Sequence, residues 1–146
     1  MTKRGVEILL VEDDLPDIRL TQRALKGGKL HKNVSVARDG IEALAFLRRQ
    51  GPYSEAPRPD LILLDLGLPK KSGAEVLAEI KNDPELKAIP VVVLTTSDAQ
   101  EDVLETYGLH ANAYTRKPVD VDEFLSTIKT IVDFWLSLAM LPVRDP

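Results

Sequence analysis

Five short, nearly uninterrupted apolar runs punctuate the chain: Glu7-Ile-Leu-Leu-Val-Glu12, then residues 34–37, 61–64, 91–94 and, more weakly, 111–114. A strand that is apolar at successive positions, rather than at alternate ones, is covered on both faces. The stretches between the runs are too long for hairpins and carry helical patterns, so neighbouring strands are expected to be parallel and joined by crossovers. That predicts a three-layer α/β domain with helices on both faces of one sheet. The first helix follows Asp14, has Pro16 at an early helical position, lines up Ile18, Thr21 and Leu25, and stops at Gly27-Gly28. The second covers about 41–49 with Ile41, Leu44, Ala45 and Leu47 on its apolar side, and the third covers about 74–81 and ends at Asp83-Pro84. A fourth, polar helix follows Ser97 and Asp98, and a fifth, the longest, starts near Asp120. Residues 51–59, with three prolines and a glycine, read as a surface loop rather than a domain linker.

Composition narrows the function classes. With 146 residues, 44% of them hydrophobic, the chain is sized for one domain with a substantial core. The absence of cysteine excludes disulfide scaffolds, thiolate metal sites and cysteine nucleophiles. Twenty-three acidic against 19 basic residues give a net charge of −4, which does not suit a nucleic-acid binder. No apolar run reaches the roughly 18 residues of a membrane span and no signal-peptide core precedes Glu7, so a cytoplasmic protein without membrane contact is expected.

In an open parallel sheet, ligands bind beyond the carboxyl ends of the strands, where strand order reverses. The polar residues expected there are Glu12, Asp13 and Asp14 after the first strand, Asp65 after the third, Thr95, Thr96 and Ser97 after the fourth, and Lys117-Pro118 after the fifth. If the first and third strands are neighbours, several carboxylates converge, and their repulsion demands raised pKa values or a hard cation, for which Mg²⁺ is the natural choice. Lys117 and the Thr95 hydroxyl add a positive charge and a donor, so the pocket suits an anion beside a metal, as a phosphoryl group is. Asp14 stands where a helix N-cap belongs, and capping is its favoured role over metal ligation. His31 and His110 have no second ligand at metal spacing and read as surface residues, as do the pairs Lys3-Arg4 and Lys70-Lys71.

The strings Ile8-Leu-Leu-Val-Glu-Asp-Asp14, Leu61-Ile-Leu-Leu-Asp-Leu-Gly-Leu-Pro69 with Gly73, Val91-Val-Val-Leu-Thr-Thr96 and Ala113-Tyr-Thr-Arg-Lys-Pro118 together resemble the receiver domain of two-component response regulators. The resemblance runs from about Glu7 to Ile131. The long proline-bearing loop before Asp60, the run from Val93 to Ser97 and the extended C-terminus make it most similar to the stand-alone receivers that work with phytochromes. It implies a flavodoxin-like, doubly wound sheet of order 2-1-3-4-5 in a single domain over 1–146, with a core of about 7–131 and a C-terminal extension, 132–146, used for dimerisation. It further implies a phosphorelay protein, not an enzyme in the turnover sense, whose Asp65 takes a phosphoryl group from a histidine kinase. By the same resemblance Asp13, Asp65 and the carbonyl of Gly67 hold Mg²⁺, with Glu12 acting through a bound water. Thr95 and Lys117 contact the phosphoryl group, Thr95 and Tyr114 form the switch, and a cis bond before Pro118 directs Lys117. Two departures stand out: Thr96 is β-branched where relatives carry a small residue, and Gly67 and Ser97 fall where relatives tune dephosphorylation.

Two other classes compete. Magnesium phosphohydrolases of the haloacid dehalogenase type also form an aspartyl-phosphate, but carry their Asp-x-Asp nucleophile motif after the first strand and need a substrate cap. A phosphorylation-independent interaction module would not need all four functional elements. In the last helix Val121, Phe124, Leu125, Ile128, Ile131, Val132 and Trp135 can face the sheet, which leaves Phe134, Leu138 and Leu141 as a second apolar stripe. Exposed apolar patches usually mark an interface, so Phe134, Trp135, Leu138 and Leu141 are the expected contacts of a homodimer.

Overall fold

The computed structural model describes residues 5–27, 31–96, 108 and 110–138. Its strands are β1 (Val6–Val11), β2 (Lys32–Ala37), β3 (Leu61–Leu64), β4 (Val91–Thr95) and β5 (Ala113–Arg116). All pairings are parallel, in the order β2-β1-β3-β4-β5. The doubly wound order 2-1-3-4-5 is therefore as expected. The three most continuously apolar runs form the centre of the sheet, whereas β2 and β5, whose sequences mix polar with apolar residues, are half-buried edges.

Alternate side chains of the central strands feed two separate cores. Leu9, Val11, Ile62, Leu64, Val91 and Val93 pack under α2 (Gly40–Leu47) and α3 (Gly73–Asn82). On the opposite face Ile8, Leu10, Leu61, Leu63, Val92 and Leu94 pack under α1 (Leu15–Ala24) and the final helix (Val121–Asp133), through Ile18, Ala24, Phe124, Ile128 and Val132. Each of these four helices starts on a side-chain cap: Asp14, Asp39, Ser72 and Asp120. Each cap supplies an acceptor to a backbone N–H that the helix itself cannot satisfy. Ser72 and Glu75 complete a reciprocal capping box.

Two apolar positions assigned to the core are outside it. Ile41 is 56% exposed, because the buried arc of α2 is Gly40, Ala43, Leu44, Phe46 and Leu47 and Ile41 falls outside it. Val121 is 48% exposed, since it opens the final helix just beyond its cap and only Phe124, Ile128 and Val132 are fully covered. The predicted fourth helix lies outside the described residues, apart from Gly108. The proline-bearing loop is more ordered than a plain surface loop: a 3₁₀ turn (Gly51–Tyr53) lays Tyr53 against Phe46 with ring centroids 5.5 Å apart. The Tyr53 hydroxyl donates to Glu42 Oε2 at 2.5 Å.

Two glycines grip the chain that follows β3. A side chain at Gly73 would come closer than 3.0 Å to the carbonyl oxygen of Asp65, and one at Gly40 would meet the carbonyl of Lys71 equally closely. The segment from Asp65 to Ser72 is thus pressed between two helix starts.

Candidate functional site

Because Val11 and Leu64 are register partners, the residues that follow them leave the sheet side by side. β1 delivers Glu12 and Asp13, β3 delivers Asp65, and the ladder continues one step further through Asp65 N–H to Val11 O at 3.0 Å. Thr95, 3% exposed, closes β4, and Lys117 follows β5, its N–H donating to Thr95 O at 2.7 Å. One carboxylate oxygen from each of Glu12, Asp13 and Asp65 lies within 4.8 Å of the others. Hard oxygen donors at this spacing fit a divalent cation of the Mg²⁺ class, which accepts few protein ligands and retains water.

The electrostatics show why such a group would be welcome. Burial pushes Glu12 up to about 7; the Lys117 hydrogen bond opposes the rise and the charge of Asp65 adds to it. Burial alone would lower the Lys117 ammonium, but its bonds to Asp17 and Glu12, with the charges of Glu12 and Asp65, hold it above its ordinary value. Its Nζ donates to Glu12 Oε1 at 2.5 Å, to Asp17 Oδ2 at 2.8 Å and to Asp65 Oδ2 at 3.4 Å. Glu12 Oε2 also accepts from Asp14 N–H at 3.2 Å, and Asp65 Oδ1 accepts from Gly67 N–H at 3.3 Å. Among the described residues, no buried side-chain polar atom lacks a partner.

The residues anticipated from the strand ends thus come together: Glu12, Asp13, Asp65, Thr95 and Lys117, with Gly67 on the adjoining loop. Asp14 caps α1, accepting from Asp17 N–H at 3.1 Å. Thr96 is exposed, and Tyr114 packs half-buried against the core on the α2–α3 side. The expected cis bond before Pro118 is not found: no described peptide bond is cis. Lys117 is instead aimed by its backbone tie to Thr95 and by three carboxylates. At the far end, Phe134 is 49% exposed while Trp135 packs on its own domain and meets Phe134 edge-to-face. Of Leu138 only the backbone is described, and Leu141 lies outside the described residues.

Two participants are absent from the strand-end list. Asp17, in the first turn of α1, binds Lys117 directly, and Arg38, after β2, donates from Nη2 to the Asp13 carbonyl at 2.9 Å. An acid in the first turn of a helix is so ordinary that its sequence position gave no signal.

Comparison with known proteins agrees with this geometry. The model of the response regulator receiver domain matches residues 8–129. The chain is 51% identical over 135 residues to response regulator Rcp1 of Synechocystis, covering 92% of each. It superposes on the phosphorylated cyanobacterial phytochrome response regulator RcpA with a TM-score of 0.94 and 52% identity, over 96% of this chain and all of that one. On the Mn²⁺-bound form of Rcp1 the TM-score is 0.91 with 50% identity, over 95% of this chain and all of that one. With the sheet order, the strand-end acids and the opposing lysine in place over nearly the whole matched span, the chain belongs to the response regulator receiver domain family.

Proposed function

We propose that the protein is a signalling switch phosphorylated on Asp65 by a histidine kinase of the phytochrome-type sensor class. The observation that carries this reading is the convergence of Glu12, Asp13 and Asp65 beside Lys117 at the ends of neighbouring strands. An Asp65 carboxylate oxygen attacks the phosphorus of the donor's phosphohistidine; a P–O bond forms, the P–N bond breaks, and its electron pair returns to the imidazole nitrogen. Asp13, Asp65, the Gly67 carbonyl and, through water, Glu12 are the groups that would hold Mg²⁺. When bound, the cation supplies charge neutralisation at the oxygens of the transferring group. Lys117 and the Thr95 hydroxyl serve the same oxygens from the other side, as a fixed charge and a donor.

The modification adds about −1.5 to −2 charges, enough to shift a two-state surface, with Thr95 and Tyr114 as the moving parts. The chain takes one group and loses it again, without turnover of an external substrate. Its message leaves by protein contact in the cytoplasm, from a homodimer joined through Phe134, Leu138 and Leu141, while Trp135, expected as a fourth contact, is seated on its own domain. The similarity to RcpA, a cyanobacterial phytochrome response regulator, supports the choice of sensor class. Incubation with acetyl phosphate and Mg²⁺, followed by mass spectrometry, should add one phosphoryl group to the intact chain and none to Asp65→Asn. Labelling of that variant at the unmodified chain's stoichiometry would overturn the assignment.

A further inference from the structure

We infer that Asp17 is a positioning residue that competes with the phosphoryl group for Lys117 and so sets how firmly the switch holds its activated state. This rests on Asp65 being the phosphoryl acceptor. An ammonium has three N–H donors, and all three are directed at carboxylates: Glu12, Asp17 and Asp65 at 2.5, 2.8 and 3.4 Å. The Asp65 contact is the longest, so Asp17 and Glu12 draw the charge away from the residue it is to serve.

When a phosphoryl group arrives on Asp65, the N–H now directed at Asp65 passes to the new oxygens, and closing that longest contact draws Lys117 away from Glu12 or Asp17. Glu12 is the costly one to abandon, because its side chain is 3% exposed and a buried carboxylate would lose its cation. Asp17 is 23% exposed, and water can take the place of the lysine. Its carboxylate is nonetheless presented from a fixed place. The Asp17 N–H donates to the Asp14 cap at 3.1 Å and its carbonyl accepts from the Thr21 hydroxyl at 2.9 Å. Asp17 is therefore a standing competitor that yields to the phosphoryl group rather than a member of the reacting set.

Beryllofluoride, a tetrahedral mimic of an aspartyl-phosphate, measures the competition without chemistry. At saturating Mg²⁺, ¹⁹F NMR titration should show Asp17→Asn binding it about three- to tenfold more tightly than the unmodified chain, the scale of one partly exposed charged pair. Asp17→Glu should return the affinity to the unmodified value. A merely structural role for Asp17 would instead weaken binding, so equal or weaker affinity in Asp17→Asn overturns the proposal. A crystal structure of the unmodified chain with Mg²⁺ and beryllofluoride gives a second reading that needs no variant. Lys117 Nζ should lie beyond hydrogen-bond reach of Asp17 and on a fluorine, and a retained Asp17 contact overturns the idea. Asp65→Asn separates the two levels: if it binds the mimic as well as the unmodified chain does, the acceptor assignment itself fails, whereas its loss of binding alongside an unaltered Asp17→Asn rejects only the competition.

Discussion

Glu12 sits between opposing demands: burial and the neighbouring Asp65 favour its neutral form, while Lys117 favours its charge, and burial prevails. Its carboxyl titrates near 7 in the folded chain against 4.5 as the ordinary value, so between those limits the folded state holds a proton that the unfolded state has released. A raised folded value contributes stability that is complete below the unfolded pKa and is lost as pH climbs through the folded one. In EDTA the melting temperature should therefore fall between pH 5 and pH 8, and Glu12→Gln should remove most of that slope; a midpoint that rises with pH over this window would contradict the assignment. At this scale the sequence was legible where chemistry follows from position on a strand. Asp13, Asp65 and Thr95 each stand one or two residues beyond the end of an apolar run, and Lys117 stands three beyond the weakest one. Asp17 was not legible, because its partner is 100 residues away and the meeting depends on how α1 and the end of β5 face each other.

At the scale of elements, α3 connects stability to the site, since its first turn receives the chain that leaves Asp65. Ser72 accepts from Glu75 N–H at 3.2 Å and Glu75 Oε1 accepts from Ser72 N–H at 3.1 Å, so Ser72→Ala leaves an orphan donor at the helix start. The cost should be about 1 kcal/mol, read in urea as a lower midpoint with an unchanged slope. A midpoint equal to that of the unmodified chain would mean that packing alone fixes this turn. The strands were readable to within two residues, because double-sided burial leaves a continuous apolar signature that little else mimics. Helical faces were read less well. Ile41 belongs by composition to an apolar stripe, yet the tight seat of Gly40 against Lys71 fixes the rotation of α2 and turns Ile41 outward. The order within residues 51–59 was equally hidden, since Tyr53 settles on Phe46 and Glu42 across a helix rather than along the chain.

For the whole molecule, the sheet separates two cores that share no side chain, and the final helix closes one of them through Phe124, Ile128 and Val132. That helix continues into a π-helical turn (Phe134–Leu138), where Trp135 is used internally and Phe134 faces outward. A chain cut after Asp133 keeps the buried Phe124, Ile128 and Val132 and gives up the partly buried Trp135 and Leu136 of that core, so it should stay folded, with a lower melting temperature, while losing the outer contacts. Light scattering at tens of micromolar should give a dimer for the full chain and a monomer for the shortened one. A full-length monomer would end the pairing proposed through this end, and a shortened dimer would move it elsewhere. The grip on the segment after Asp65 has a different kind of consequence, one for heredity. Any missense change in a glycine codon adds at least a Cβ, and at Gly40 and Gly73 that atom has backbone oxygen in its way, whereas at Gly67 it meets nothing within 4 Å. Inherited variants should therefore accumulate at codon 67, beside the proposed acceptor, and be purged at codons 40 and 73.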